Sequence, residues 1–177
     1  MRLSGLADAY LLNQAAQDVR HAMRGGAEPA EVLRAVKAEI GAARRRFLGE
    51  IEAAVKPVFR EVATGDAVGR SDINLGGLAT VPNRAEPHPG DDWVFTLMPS
   101  HREAIKRRVL QLMDAGVTPN DLILQVQGDA GASAEIAGAA LVEHAEAVIA
   151  EELKARQFIA NNQVGSVLRV RGLGFGK

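Results

Sequence analysis

Residues 29–62 read PAEVLRAVKAEIGAARRRFLGEIEAAVKPVFREV, and this stretch decides the fold class. Apolar side chains recur at Leu33, Val36, Ile40, Ala43, Phe47, Ile51, Val55, Val58 and Val62. Every step is three or four residues, which lays one continuous stripe along an α-helix. Pro29 suits the first turn, where its missing N–H has no intrahelical partner to lose. Unbroken, the helix would be about 50 Å long at 1.5 Å per residue. Pro57 is expected to kink or break it, because its ring clashes with the carbonyl four residues back. A stripe of this length overhangs a small domain, so Phe47, Ile51 and Val55 are read as an oligomer interface with a second copy.

Outward from this helix, the periodicity predicts a first helix from Ser4 to about Arg24, with Ser4 as N-cap and Gly25-Gly26 as its stop. Residues 1–64 are thus N-terminal helices. Residues 65–92 show no period and are punctuated by Gly69, Gly76, Gly77, Pro82, Pro87, Pro89 and Gly90, which reads as an extended loop or arm. Residues 93–164 hold a strand-like alternation, Trp93 to Met98, and then helical hairpins. Ser100-His101-Arg102-Glu103 reads as a capping box, Gly116 as a stop, 118–126 as a short helix, Gly128 to Gly131 as a turn, and 132–160 as a long helix. Residues 165–177 form a basic, glycine-rich tail expected to be extended, with a short strand around Val167 to Val170. No internal repeat is apparent in the residues. The expectation is one domain with appendages, mainly α: a helical bundle with one long kinked helix, a long irregular loop and at most a minor β element.

Composition sets the outer bounds. The 177 residues carry 21 basic and 22 acidic side chains, which excludes a globally basic nucleic-acid binder. Cysteine is absent, so disulfides, thiol nucleophiles and cysteine-ligated metals are excluded. No apolar run is long enough to span a membrane, and Met1 to Leu6 lacks the apolar core of a signal peptide. A cytoplasmic or virion setting fits. Aromatics are only 4%. Small side chains supply little buried area each, so such a chain gains from long helix contacts or partner subunits.

Five constellations invite a chemical reading. The segment from Leu110 to Leu141 resembles the spacing of helix-turn-helix DNA-binding domains, with Arg102, Lys106, Arg107 and Arg108 ahead of it. Its would-be recognition helix, however, carries Glu135, Glu143 and Glu146 and no basic residue before Lys154, where phosphate approach demands one. His88, Asp91 and Asp92 lie together in the long loop, where a His and two carboxylates could bind a divalent cation. Asp18 and His21 are half of a helical metal site, without the paired Glu-x-x-His helices of a di-iron bundle. His101 and Glu103 make a His-x-Glu without the cysteines of a zinc deaminase. The terminal Gly172, Gly174, Gly176 and Lys177 suggest a phosphate cradle but have no helix behind them. No catalytic residue, cofactor or metal site is therefore assigned.

Charge is segregated instead. Gly128 to Glu152 holds six acidic residues and no basic one, whereas Leu153 to Lys177 holds five basic residues and no acidic one. The tail reads as an assembly arm carrying Leu168, Arg169, Arg171, Phe175 and Lys177, docking on an acidic surface of a neighbouring copy or another protein subunit. Nucleic acid is a second partner class, through Arg44, Arg45 and Arg46 or through the tail. Together these features favour a non-enzymatic structural or assembly subunit of an oligomeric complex, such as a bacteriophage connector, internal or scaffold-like component. A helix-turn-helix regulator and a small enzyme with a lid at 65–92 are the alternatives.

Overall fold

The computed structural model describes residues 1–63, 88–90 and 92–171, with backbone alone at the ends of the second and fourth helices. These residues form a helical bundle: α1 (Ala9–Arg24), α2 (Pro29–Ala63), α3 (Pro99–Asp114) and α4 (Pro119–Arg171). There is no strand among the described residues. Trp93 to Met98 does alternate, with Trp93, Phe95 and Leu97 buried and Val94 and Met98 exposed, but as an extended strap without a pairing strand.

The four helices are two copies of one hairpin, offset by 90 residues. Ala9–Arg24 and Pro99–Asp114 are both 16 residues, and α2 and α4 start at the equivalent Pro29 and Pro119. The turns match bond for bond. Gly26 N–H reaches Met23 O at 3.1 Å and Ala27 N–H reaches Ala22 O at 3.1 Å. In the second hairpin Gly116 N–H reaches Met113 O at 2.9 Å and Val117 N–H reaches Leu112 O at 3.1 Å. Each is a Schellman turn with glycine at positive φ, +92° at Gly26 and +74° at Gly116, a conformation that other residues resist. Burial repeats too: Val32, Val36, Ala43, Phe47, Ile51, Val55 and Val58 of α2 correspond to Leu122, Val126, Ser133, Ala137, Leu141, Ala145 and Val148 of α4, all buried.

Each hairpin is tied to the other by the strap that precedes it. Leu3 N–H donates to Ser133 Oγ at 3.0 Å. The buried His101 ring accepts from Met98 N–H at Nδ1 (3.2 Å), which leaves Nε2 to donate to Ser4 O at 2.6 Å. Reciprocally, Arg46 Nη2 donates to Trp93 O at 2.6 Å, and Asp18 accepts from Gly90 N–H at 2.9 Å and from Trp93 Nε1 at 2.7 Å. His101 and Asp18, singled out as ligand candidates, are therefore strap anchors.

Between the hairpins, α2 and α4 run antiparallel. A Cβ on Gly138 would lie 2.8 Å from Ile40 Cγ2, Arg44 meets Glu135 at 3.6 Å, a Cβ on Gly131 would lie 3.8 Å from Leu48 Cδ2, and Gln127 reaches Glu52 at 3.4 Å. This explains the first departure from expectation. Gly128 to Gly131 is not a turn; α4 passes straight through it. Gly138 makes room for the Ile40 side chain, and that packing offsets the roughly 1 kcal/mol a glycine costs a helix, whereas a Cβ at Gly131 would meet Arg44 and Leu48 only at ordinary contact distance. Likewise α2 continues unbroken through Pro57, held by Val55 and Val58, which are fully buried on either side. The N-cap of α1 is Asp8, whose Oδ1 accepts from Leu11 N–H at 2.8 Å, and not Ser4, because Leu3 and Leu6 are drawn into the core. α3 likewise begins at Pro99, with His101 as the bond to its cap residue, so Ser100 is not the N-cap.

Candidate functional site

Phe47, Ile51 and Val55 are 1%, 0% and 0% exposed. They spend their apolar surface inside the chain's own core, with Phe47 edge-on to Phe95 at 5.9 Å between ring centres. The stripe of α2 is consumed by α1, α3 and α4, so it is not the surface offered to a second copy.

The basic cluster is also partly engaged. Arg44 pairs with Glu135, and Arg46 holds the strap and approaches Glu39 at 3.9 Å. Arg108 pairs with Asp129 at 3.0 Å. With one uninterrupted helix after the α3–α4 turn, there is no separate recognition helix, and the helix-turn-helix spacing is not realised. A cleft of about 390 Å³ between α1, α2 and the strap is lined by Asp18, His21, Val36, Glu39, Asp92 and Trp93. Its best-placed carboxylate, Asp18, is committed to Gly90 and Trp93. No group of three His, Asp or Glu able to hold a metal exists among the described residues. Asp91 and the rest of the expected loop, apart from His88 to Gly90 and Asp92, lie outside the described residues.

Two carboxylates on α2 depart from their ordinary behaviour. Burial pushes Glu50 up, with the Arg46 charge opposing it. The hydrogen bond and charge of Lys56, whose Nζ lies 2.6 Å away, draw Glu52 down.

What stands open is α4. Its buried residues end at Ile149, just where the antiparallel α2 begins at Pro29. Its last ties to the bundle are Glu152 to Arg24 at 3.1 Å and Glu151 to Arg20 at 3.7 Å. The helix then runs on to Arg171, and every described residue from Leu153 to Asn162 is exposed. That extension is about 28 Å long at 1.5 Å per residue. The chain matches no family model, curated protein or solved structure.

Apolar side chains continue around α4 onto its outer face. Ile136 is 72% exposed, Phe158 68%, Leu124 64% and Ile159 56%. Between Ile136 and Phe158 the outward positions include Ala139, Ala140, Ala147 and Ala150, all exposed. At 100° per residue Ile136, Ala140, Ala147, Lys154 and Phe158 share one stripe. Glu143 lies on the same stripe, so this outer face is apolar at Ile136, Ala140, Ala147 and Phe158 and charged at Glu143 and Lys154, while the bundle covers the opposite face.

The expected tail falls partly on this helix. Residues 165–171, including Leu168, Arg169 and Arg171, belong to α4 and are neither extended nor strand. A helical period had been masked there by Gly165 and the alternation of Val167 to Val170. Phe175 and Lys177 lie outside the described residues. The outer face of α4 went unread in the sequence because its alanines look like core; the surplus of apolar positions over one face was the available signal. No helix among the described residues is long and apolar enough to cross a membrane.

Proposed function

We propose that the protein is a non-enzymatic assembly subunit that works as an oligomer, with α4 as the element that joins copies. The observation that supports this reading is the extension of α4 past the bundle with Phe158 and Ile159 bare. Among the residues whose side chains are described, the last buried ones are Val58 in the first hairpin and Val148 and Ile149 in the second, so the core does not use the described part of that segment. A surplus of helix with Phe158 and Ile159 exposed is costly in water, at roughly 25 cal/mol per Å² of apolar surface left uncovered. A partner removes that cost. Light scattering across a concentration series of the full chain tests it. Masses above the 18.8 kDa of one chain are expected; a single-chain mass at every concentration overturns the reading.

A further inference from the structure

We infer that two copies pair through α4 antiparallel, outer face to outer face, about a two-fold axis passing between Glu152 and Leu153. This rests on the assembly reading above and specifies its partner and register. Charge decides the direction. The bundle-bound part of α4 is acidic, with Glu135, Glu143, Glu146, Glu151 and Glu152, and the extension is basic, with Lys154 and Arg156 and then Arg169 and Arg171 in the sequence. A parallel pair sets Glu143 against Glu143, Glu151 against Glu151 and Lys154 against Lys154, like charge on like along the whole seam. Antiparallel pairing about Glu152 and Leu153 brings Lys154 level with Glu151 and the last turn, with Arg169 and Arg171, level with Glu135.

Shape agrees with charge. The outer face of the acidic half has the small Ala139, Ala140, Ala147 and Ala150 exposed beside Glu143 and Glu146, while the basic half carries the large Phe158. The same register sets Phe158 of one copy level with Ala147 of the other, a large side chain on small ones, as close helix packing requires. The two-fold makes every contact occur twice, so the extension of each copy covers the outer face of the other from about residue 134 to 152.

The absence of cysteine permits a direct measurement. A spin label on Ala139→Cys should give a label-to-label separation of about 40 Å for the antiparallel pair and about 10–15 Å for a parallel one, at 1.5 Å per residue. Phe158→Asp should weaken association by roughly thirtyfold or more, the scale of a central anchor residue. Lys154→Glu or Glu151→Lys alone should weaken it by roughly tenfold, and the double swap should restore it, since the two positions meet across the axis. Circular dichroism of each variant establishes that the helices persist. An oligomer whose labels sit 10–15 Å apart, or whose double swap fails to recover, overturns this geometry and leaves the assembly reading standing. A chain that is single at all concentrations overturns both.

Discussion

The two hairpins share a plan and differ in what their long arms carry. At equivalent positions α2 has Ile40, Phe47 and Leu48 where α4 has Ala130, Ala137 and Gly138. Where α2 and α4 lie antiparallel, equivalent positions such as Arg44 and Ala134 come close to one another, and both copies cannot be large. The first hairpin has taken the bulk and the second has taken the close approach. The same division appears lengthwise: α2 is spent on the core, whereas α4 keeps an outer face and an extension that the core never uses. Divergence of a repeat thus separates the part that holds the fold from the part free to do something else.

Phe47→Ala makes α2 like α4 at the equivalent position and should break this division most severely. It removes a fully buried ring and should cost about 3–5 kcal/mol in chemical denaturation, the usual range for Phe to Ala in a core. Phe158→Ala, the same change on the extension, should leave unfolding of the single chain within about 0.5 kcal/mol of wild type, measured at a dilution where copies are separate. If both cost the same, the extension is packed and the contrast fails.

Two glycines of α4 sharpen the inner and outer distinction by sign. Gly128 is exposed with nothing within 4 Å of an added Cβ, so Gly128→Ala should stabilise by up to about 1 kcal/mol through helix propensity. Gly138→Ala meets Ile40 Cγ2 at 2.8 Å, on a stiff β-branched side chain. Its overpacking cost of about 1–3 kcal/mol should equal or exceed the propensity gain, so the melting temperature should fall or stay level while that of Gly128→Ala rises.

The smallest effect concerns Glu50, which stands where α4 has Ala140. Burial raises its folded value above the ordinary 4.5, so its charged form is disfavoured in the folded chain. Below 4.5 the group is neutral in both states and carries no penalty; the penalty grows as pH rises through 4.5 and the raised value. Glu50→Gln should therefore stabilise within about 0.5 kcal/mol at neutral pH and change nothing in acid. A stabilisation that persists at pH 3 would assign the effect to something other than charge burial.

The helical class was legible in the three-and-four spacing of Val36, Phe47, Ile51, Val55 and Val58, all of which are buried. The repeat was not, because the identities that survive the 90-residue offset are few: Met23 and Met113, Gly26 and Gly116, Pro29 and Pro119, Val36 and Val126 among them. What is conserved between the copies is a turn and a burial pattern, which composition does not display. Glycine misled at 128–131 because its local preference for turns and a tolerated place in a packed helix look the same in a sequence. Phe47, Ile51 and Val55 were correctly apolar but assigned outward, since a stripe does not state which neighbour covers it. His101 and Asp18 drew attention as ligands because their hydrogen-bond partners, a backbone carbonyl and a distant indole, leave no trace in spacing.

Trp93 is the single tryptophan, 3% exposed, with its indole N–H fixed to Asp18. All indole emission therefore comes from one point, where the second strap is seated on the first hairpin. Its wavelength and its quenching by a solute such as iodide report whether that seat is closed, on the α1 and α2 side of the bundle. The chain thus contains an optical gauge of the union between its two halves, readable without any attached dye.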